Sequence, residues 1–141
     1  MNTMITRRFS EADTEAVVSL WKACGLVVPW NNPHLDIQRK MTERPELFLV
    51  GEIDGVVMSS IMGGYEGHRG WINYMAVAPE WQKQHYGQQL VKTIEEKLLA
   101  LGCPKINLQV RSTNKPVIAF YESAGFSIDQ AVSMGKRIIP D

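Results

Sequence analysis

A chain of 141 residues, 45% of them apolar, suits a single domain built on one core, and no linker tract or internal repeat divides it. Lys plus Arg and Asp plus Glu number 15 each, so the formal net charge is zero, which argues against a nucleic-acid-binding domain but leaves room for a local basic pocket. The polar start MNTMITRRFSEADTEA is not an export signal and no apolar stretch is long enough to cross a bilayer, so a cytoplasmic protein with reduced thiols at Cys24 and Cys103 is expected, away from any membrane.

Residues 4–9 alternate as a short half-buried strand does. SEAD at 10–13 resembles a capping box, and Ala16, Val17, Leu20, Trp21 and Cys24 follow at helical spacing, so a helix is predicted over 11–24 with Gly25 beyond it. LVVPWNNP is a loop. Asn32 then Pro33 read as cap and first position of a second helix that ends before Pro45. Next the period changes. Apolar runs at 47–53 and 56–65 flank Asp54-Gly55, a strong hairpin signal, and 71–79 adds a third strand. From Gly87 the helical period returns through Leu90, Val91, Ile94 and Leu98, until Gly102 and Pro104. KINLQV at 105–110 is another alternating strand, Asn114 caps a last helix with Pro116 in its first turn, and the tail from Phe126 suggests one or two strands. The order β-α-α-β-β-β-α-β-α-β implies an α/β (α+β) fold, a mixed sheet with helices on both faces.

The most informative stretch is YMAVAPEWQKQHYGQQL, a strand, a polar loop and the start of a long helix. Such a helix start offers unpaired amides and the positive end of the macrodipole, which suit phosphate. Gly87 would let the backbone approach a ligand, and Lys83 and His85 would add positive charge. An ordinary strand-to-helix turn is the alternative. No Walker-type loop, dinucleotide glycine motif or metal-spaced cysteines occur, so no metal is expected.

The segment resembles the acetyl-CoA loop of GNAT N-acetyltransferases, whose signature is Gln or Arg, two residues, Gly, one residue, then Gly or Ala. Gln82 matches the first position and Gly87 the last; His85 stands at the middle glycine. A second segment, NKPVIAFYESAGF at 114–126, is similar to that family's Asn-to-Gly-Phe motif, and GGYEGHRG, GCPKI and GKR look like the small bacterial acetyltransferases of the YpeA type. The resemblance implies a GNAT fold over 1–141: a mixed, mostly antiparallel sheet of six to seven strands. It also implies acetyl-CoA as co-substrate, whose acetyl group passes to a primary amine by direct attack in a ternary complex. Cofactor contacts then fall on Met75, Ala76, Val77, Gln82, Lys83, Gln84, His85, Tyr86, Gly87, Gln88, Asn114 and Tyr121. The Val77 amide would face the developing oxyanion, and Tyr121 would protonate the thiolate.

An acceptor ammonium must lose a proton first. Glu66, through a water, and His68 are the candidate bases, with solvated loop charges as the other reading; Tyr121 could likewise be a core aromatic. The acceptor is expected to be a small-molecule or peptide amine, held by Trp30, His34, Glu66 and Arg69 around 26–36 and 63–70, and the resemblance allows a homodimer. A GNAT-shaped domain that binds coenzyme A without transferring anything is the competing class.

Overall fold

The computed structural model describes residues 2–141. Strand β1 (Ile5–Arg8) leads into the Ser10–Asp13 capping box, in which the Ser10 amide donates to Asp13 Oδ2 at 2.9 Å. That first turn is a 3-10 turn, and helix α1 (Thr14–Ala23) continues from it. Helix α2 (Pro33–Lys40) starts as expected: Asn32 Oδ1 accepts from the amides of His34 and Leu35, and Pro33, which has no amide to satisfy, occupies the first position.

Strands β2 (Phe48–Ile53) and β3 (Val56–Tyr65) are joined by Asp54 and Gly55, both left-handed at φ 52° and 77°. This is the geometry of a type I′ turn, whose twist matches the paired strands. Strand β4 (Gly70–Val77), helix α3 (Tyr86–Ala100), strand β5 (Ile106–Leu108) and helix α4 (Lys115–Ser123) complete the order.

The sheet runs β1-β2-β3-β4-β5, antiparallel except for the parallel β4–β5 pair. Helices cover both faces. Trp21 of α1 reaches Ser60 on one, while Ile94 of α3 lies over Gly63, three residues along β3 and so on the opposite face. Phe48, Ile61, Leu90, Ile94 and Leu98, all fully buried, form the core between them.

The expected six to seven strands are corrected to five. The tail beyond Phe126 pairs with no strand among the described residues, and Ile128, Val132, Met134, Ile138 and Ile139 are exposed. Strand β5 is only three residues long and offers little ladder to extend. Side chains tether the tail instead: Asp129 to Lys105, Ser133 to Gln109, Arg137 to Asn31 and Asp141 to Arg39. Among the described residues no helix is long and apolar enough to cross a membrane.

Candidate active site

Strands β4 and β5 pair only over Gly70–Ile72 and Ile106–Leu108, after which β4 runs on alone to Val77. A gap therefore opens beside the second half of β4. Within that half β4 bulges: the β3–β4 register shifts so that Tyr74 and Met75 stand opposite Ile61 alone. Tyr74 is left-handed at φ 50°, a conformation that costs a non-glycine residue about 1–2 kcal/mol.

Buried side chains hold it there. Trp21 Nε1 donates to Ser60 Oγ at 2.9 Å, Ser60 Oγ donates to the Tyr74 carbonyl at 2.9 Å, and the Tyr74 ring stacks on Trp21 at 3.8 Å. At its far end the Tyr74 hydroxyl donates to Asp36 Oδ2 of α2 at 2.6 Å. Burial and the Asp36 carboxylate push this phenol well above its usual range, so it stays a donor. Sequence reasoning passed over this support. Its one signal was Ser60, a hydroxyl amid an apolar strand, which needs a partner when buried.

Past the bulge, the Ala78 amide bonds to the Met58 carbonyl at 2.8 Å. Alternation then turns Val77 away from β3, towards the gap. Its carbonyl accepts from Gln82 Nε2 at 2.9 Å and from Cys24 Sγ at 3.3 Å, and the amide remains on the same side. The Gln82 side chain thus ties the loop to the strand.

From Lys83 to Gln88 no backbone amide donates a hydrogen bond to any described residue; the first helical bond of α3 is Gln89 to His85 at 3.2 Å. Lys83 and His85 are left-handed, at φ 63° and 71°, so neighbouring residues alternate in hand and their amides converge into a concavity that suits an anion. His85 shows why a glycine suits its position: the backbone adopts the conformation glycine takes freely. Its imidazole is exposed, with Nδ1 3.2 Å from Gln88 Oε1.

The missing Cβ of Gly87 makes room for Phe120 of α4, whose Cζ would lie 3.1 Å from it. Tyr86 likewise is buried, and its hydroxyl donates to the Asn2 carbonyl at 2.8 Å, which leaves its backbone amide for the loop.

Asn114 caps α4, its Oδ1 accepting from the Val117 amide at 3.4 Å. Tyr121 is buried on this helix, edge-on to Phe120 and Phe126. Its hydroxyl has no hydrogen-bond partner among the described residues and still reaches solvent, and burial pushes its pKa up to about 12.

Met75, Ala76, Val77 and the 82–88 loop are thus gathered at one end of β4, with α4 packed against the start of α3. Glu66 is not among them. It lies in the loop before β4, where Oε1 accepts from the Arg69 amide at 2.8 Å and stands 3.7 Å from His68 Nδ1. Between that loop and Val77 runs the length of β4, roughly 23 Å at about 3.3 Å per residue. The expected base, its companion His68 and Arg69 therefore stand at the far end of the strand.

The donor set fits acetyl-CoA. Unpaired amides at a helix start suit its diphosphate, and a free strand edge suits its amide-bearing arm. The model of the Acetyltransferase (GNAT) family matches residues 14–126. An acetyltransferase of Yersinia enterocolitica is 44% identical over 138 residues, 98% of each chain. One of Sodalis glossinidius is 46% identical over 139 residues, again 98% of each. Among solved structures, Ard1 from Thermoplasma volcanium has a TM-score of 0.74 at 24% identity, covering 89% of this chain and 84% of that one. The aminoglycoside N-acetyltransferase AAC(6')-Iy, in complex with CoA, has a TM-score of 0.78 at 13% identity, covering 97% and 96%. These two share the fold. Taken together, the family match and the whole-length relatives show that the chain belongs to the GNAT acetyltransferase family, whose members take an acetyl group from acetyl-CoA.

Proposed function

We propose that residues 1–141 form one cytoplasmic domain that acetylates a primary amine from acetyl-CoA by direct attack. The observation that carries this reading is the run of unbonded amides from Lys83 to Gln88, shaped by left-handed Lys83 and His85. Bound there, acetyl-CoA supplies an activated acyl group. Lys83–Gln88 hold its diphosphate, Met75–Val77 offer their open edge to its pantetheine arm, and the Asn114 side-chain amide has donors to spare for the same ligand. The Val77 amide faces the gap and stabilises negative charge on the acyl oxygen as the amine nitrogen bonds to the carbonyl carbon. The carbon–sulfur bond breaks with its electron pair going to sulfur, and Tyr121 gives that thiolate a proton. The nitrogen gives up its extra proton to water. At neutral pH the phenol carries the proton that the thiolate needs, and burial, which raises its pKa to about 12, makes it a weaker acid than a free tyrosine.

A second reading, coenzyme binding without transfer, draws on the position of Glu66, at the opposite end of β4 from Val77. Incubation with acetyl-CoA and a broad amine panel, followed by free thiol, separates the two. Amine-dependent release that is lost in Tyr121→Phe supports transfer. Tight coenzyme A binding with no release across the panel supports the second reading, and no coenzyme binding at all removes both.

A further inference from the structure

Between the α1–α2 loop, α2 and the tail lies an open hollow of about 810 Å³, lined among others by Trp30, Asn31, Arg39, Gln109, Lys136 and Arg137. Two links tie its lining to the region of β4. Gln109 directly follows Leu108, the β5 residue at which the strands part. Arg39 Nη1 donates to Asp36 Oδ1 at 3.2 Å, and Asp36 in turn takes the hydroxyl of Tyr74 at the bulge. None of the lining residues belongs to the 82–88 loop or to α4.

Three cations line the hollow, Arg39, Lys136 and Arg137, and a fourth, Arg111, lies over the ring of the lining residue Trp30 at 5.6 Å. The carboxylates bonded to these arginines are Asp36 and Asp141. Arg39 is committed to both, donating to Asp141 Oδ1 at 2.8 Å, and Arg137 is shared between Asn31 and the Ile139 carbonyl and stands 3.5 Å from Asp141. The side chains of Lys136 and Arg111 are exposed and hydrogen-bond to no described residue. A positive surplus therefore faces the opening.

We infer that this hollow seats the acceptor, and that the acceptor is an amine that also carries an anionic oxygen group, a carboxylate or a phosphate. The inference rests on the acetyl-transfer reading above. Lys136 and Arg111 are the free partners for such a group. A polycation entering the same place meets more like charge than opposite charge. The surplus also does part of a base's work: neighbouring cations disfavour the ammonium form of the acceptor and release its lone pair.

The test compares kcat/KM for the common amino acids and O-phosphoethanolamine with kcat/KM for spermidine and kanamycin, after coenzyme A affinity has been measured by calorimetry. At least one anionic amine should exceed both polycations by about tenfold or more, and the amino-acid and phosphate arms tell which oxygen group is read. Lys136→Gln and Arg111→Gln, both at exposed positions, should each raise KM for that amine by roughly tenfold and leave coenzyme affinity unchanged. Preference for spermidine or kanamycin, no turnover of any anionic amine by coenzyme-binding protein, or an unaltered KM in both variants would overturn the inference. Weakened coenzyme binding in Lys136→Gln would do so too, by assigning the cations to the coenzyme. If the unaltered protein binds no coenzyme, the failure lies in the reading beneath.

Discussion

Trp21 Nε1 donates to Ser60 Oγ across 2.9 Å, and both side chains are fully buried. Ser60 passes the bond on to the carbonyl of Tyr74, so a helix on one face of the sheet sets the bulge in β4. Ser60→Ala leaves the indole N–H and that carbonyl unpaired in the interior, a loss of about 2 kcal/mol of stability by urea titration. The bulge also aims Met75–Val77, so coenzyme A affinity should fall by calorimetry at temperatures where the variant is folded. An unaltered affinity would detach the bulge from the site.

His85 holds a left-handed backbone at φ 71° without the freedom of glycine. His85→Gly should relieve about 1 kcal/mol of strain, raise the melting temperature, and keep or improve coenzyme affinity. A large loss of affinity would show that the imidazole itself binds the ligand.

Tyr121→Phe should lower kcat by about a hundredfold with little change in KM for acetyl-CoA, since only the proton donor is removed. The pH profile carries a second signature. Burial raises the phenol from 10.0 to about 12, so the donor form persists through the pH range in which an ordinary tyrosine ionises. The alkaline limb should therefore begin well above pH 10. A limb centred at 10 would assign the titration to another group.

Asp13 accepts from both terminal guanidinium nitrogens of Arg7, Nη1 and Nη2, at 2.8 and 2.9 Å, and from the Ser10 amide. The Arg7 guanidinium holds its carboxyl down to about 2, from 3.8. A carboxylate depressed in the folded state contributes stability above its unfolded value, and that contribution is lost as pH falls from about 4 to 2. Urea titrations across this window should show it, and Asp13→Asn should flatten the slope. An equal slope in the variant would rule the pair out as its source.

Much of this fold is legible in local chemistry. Asn32-Pro33, Asp54-Gly55 and Gly102 each sit at a boundary whose geometry their own side chains or backbones demand, and the elements begin and end beside them. The loop at 82–88 was readable for the same reason. What holds the bulge was not, because its cause lies 39 residues away, in the partner that Trp21 finds in Ser60. An aromatic within an apolar-rich run, as Tyr74 is between Asn73 and Met75, looks like plain strand. Glu66 misled through chain order: it precedes Trp71 closely, yet the strand that follows carries the site to its other end. The tail's apolar residues read as strand, but three residues of β5 gave them nothing to pair with.

Phe120 occupies the space that a Cβ on Gly87 would need, with 3.1 Å between them. Helix α4 therefore sits against the first turn of α3 with no room for a side chain between them, and Gly87→Ala would wedge apart the two helices beside the proposed coenzyme site.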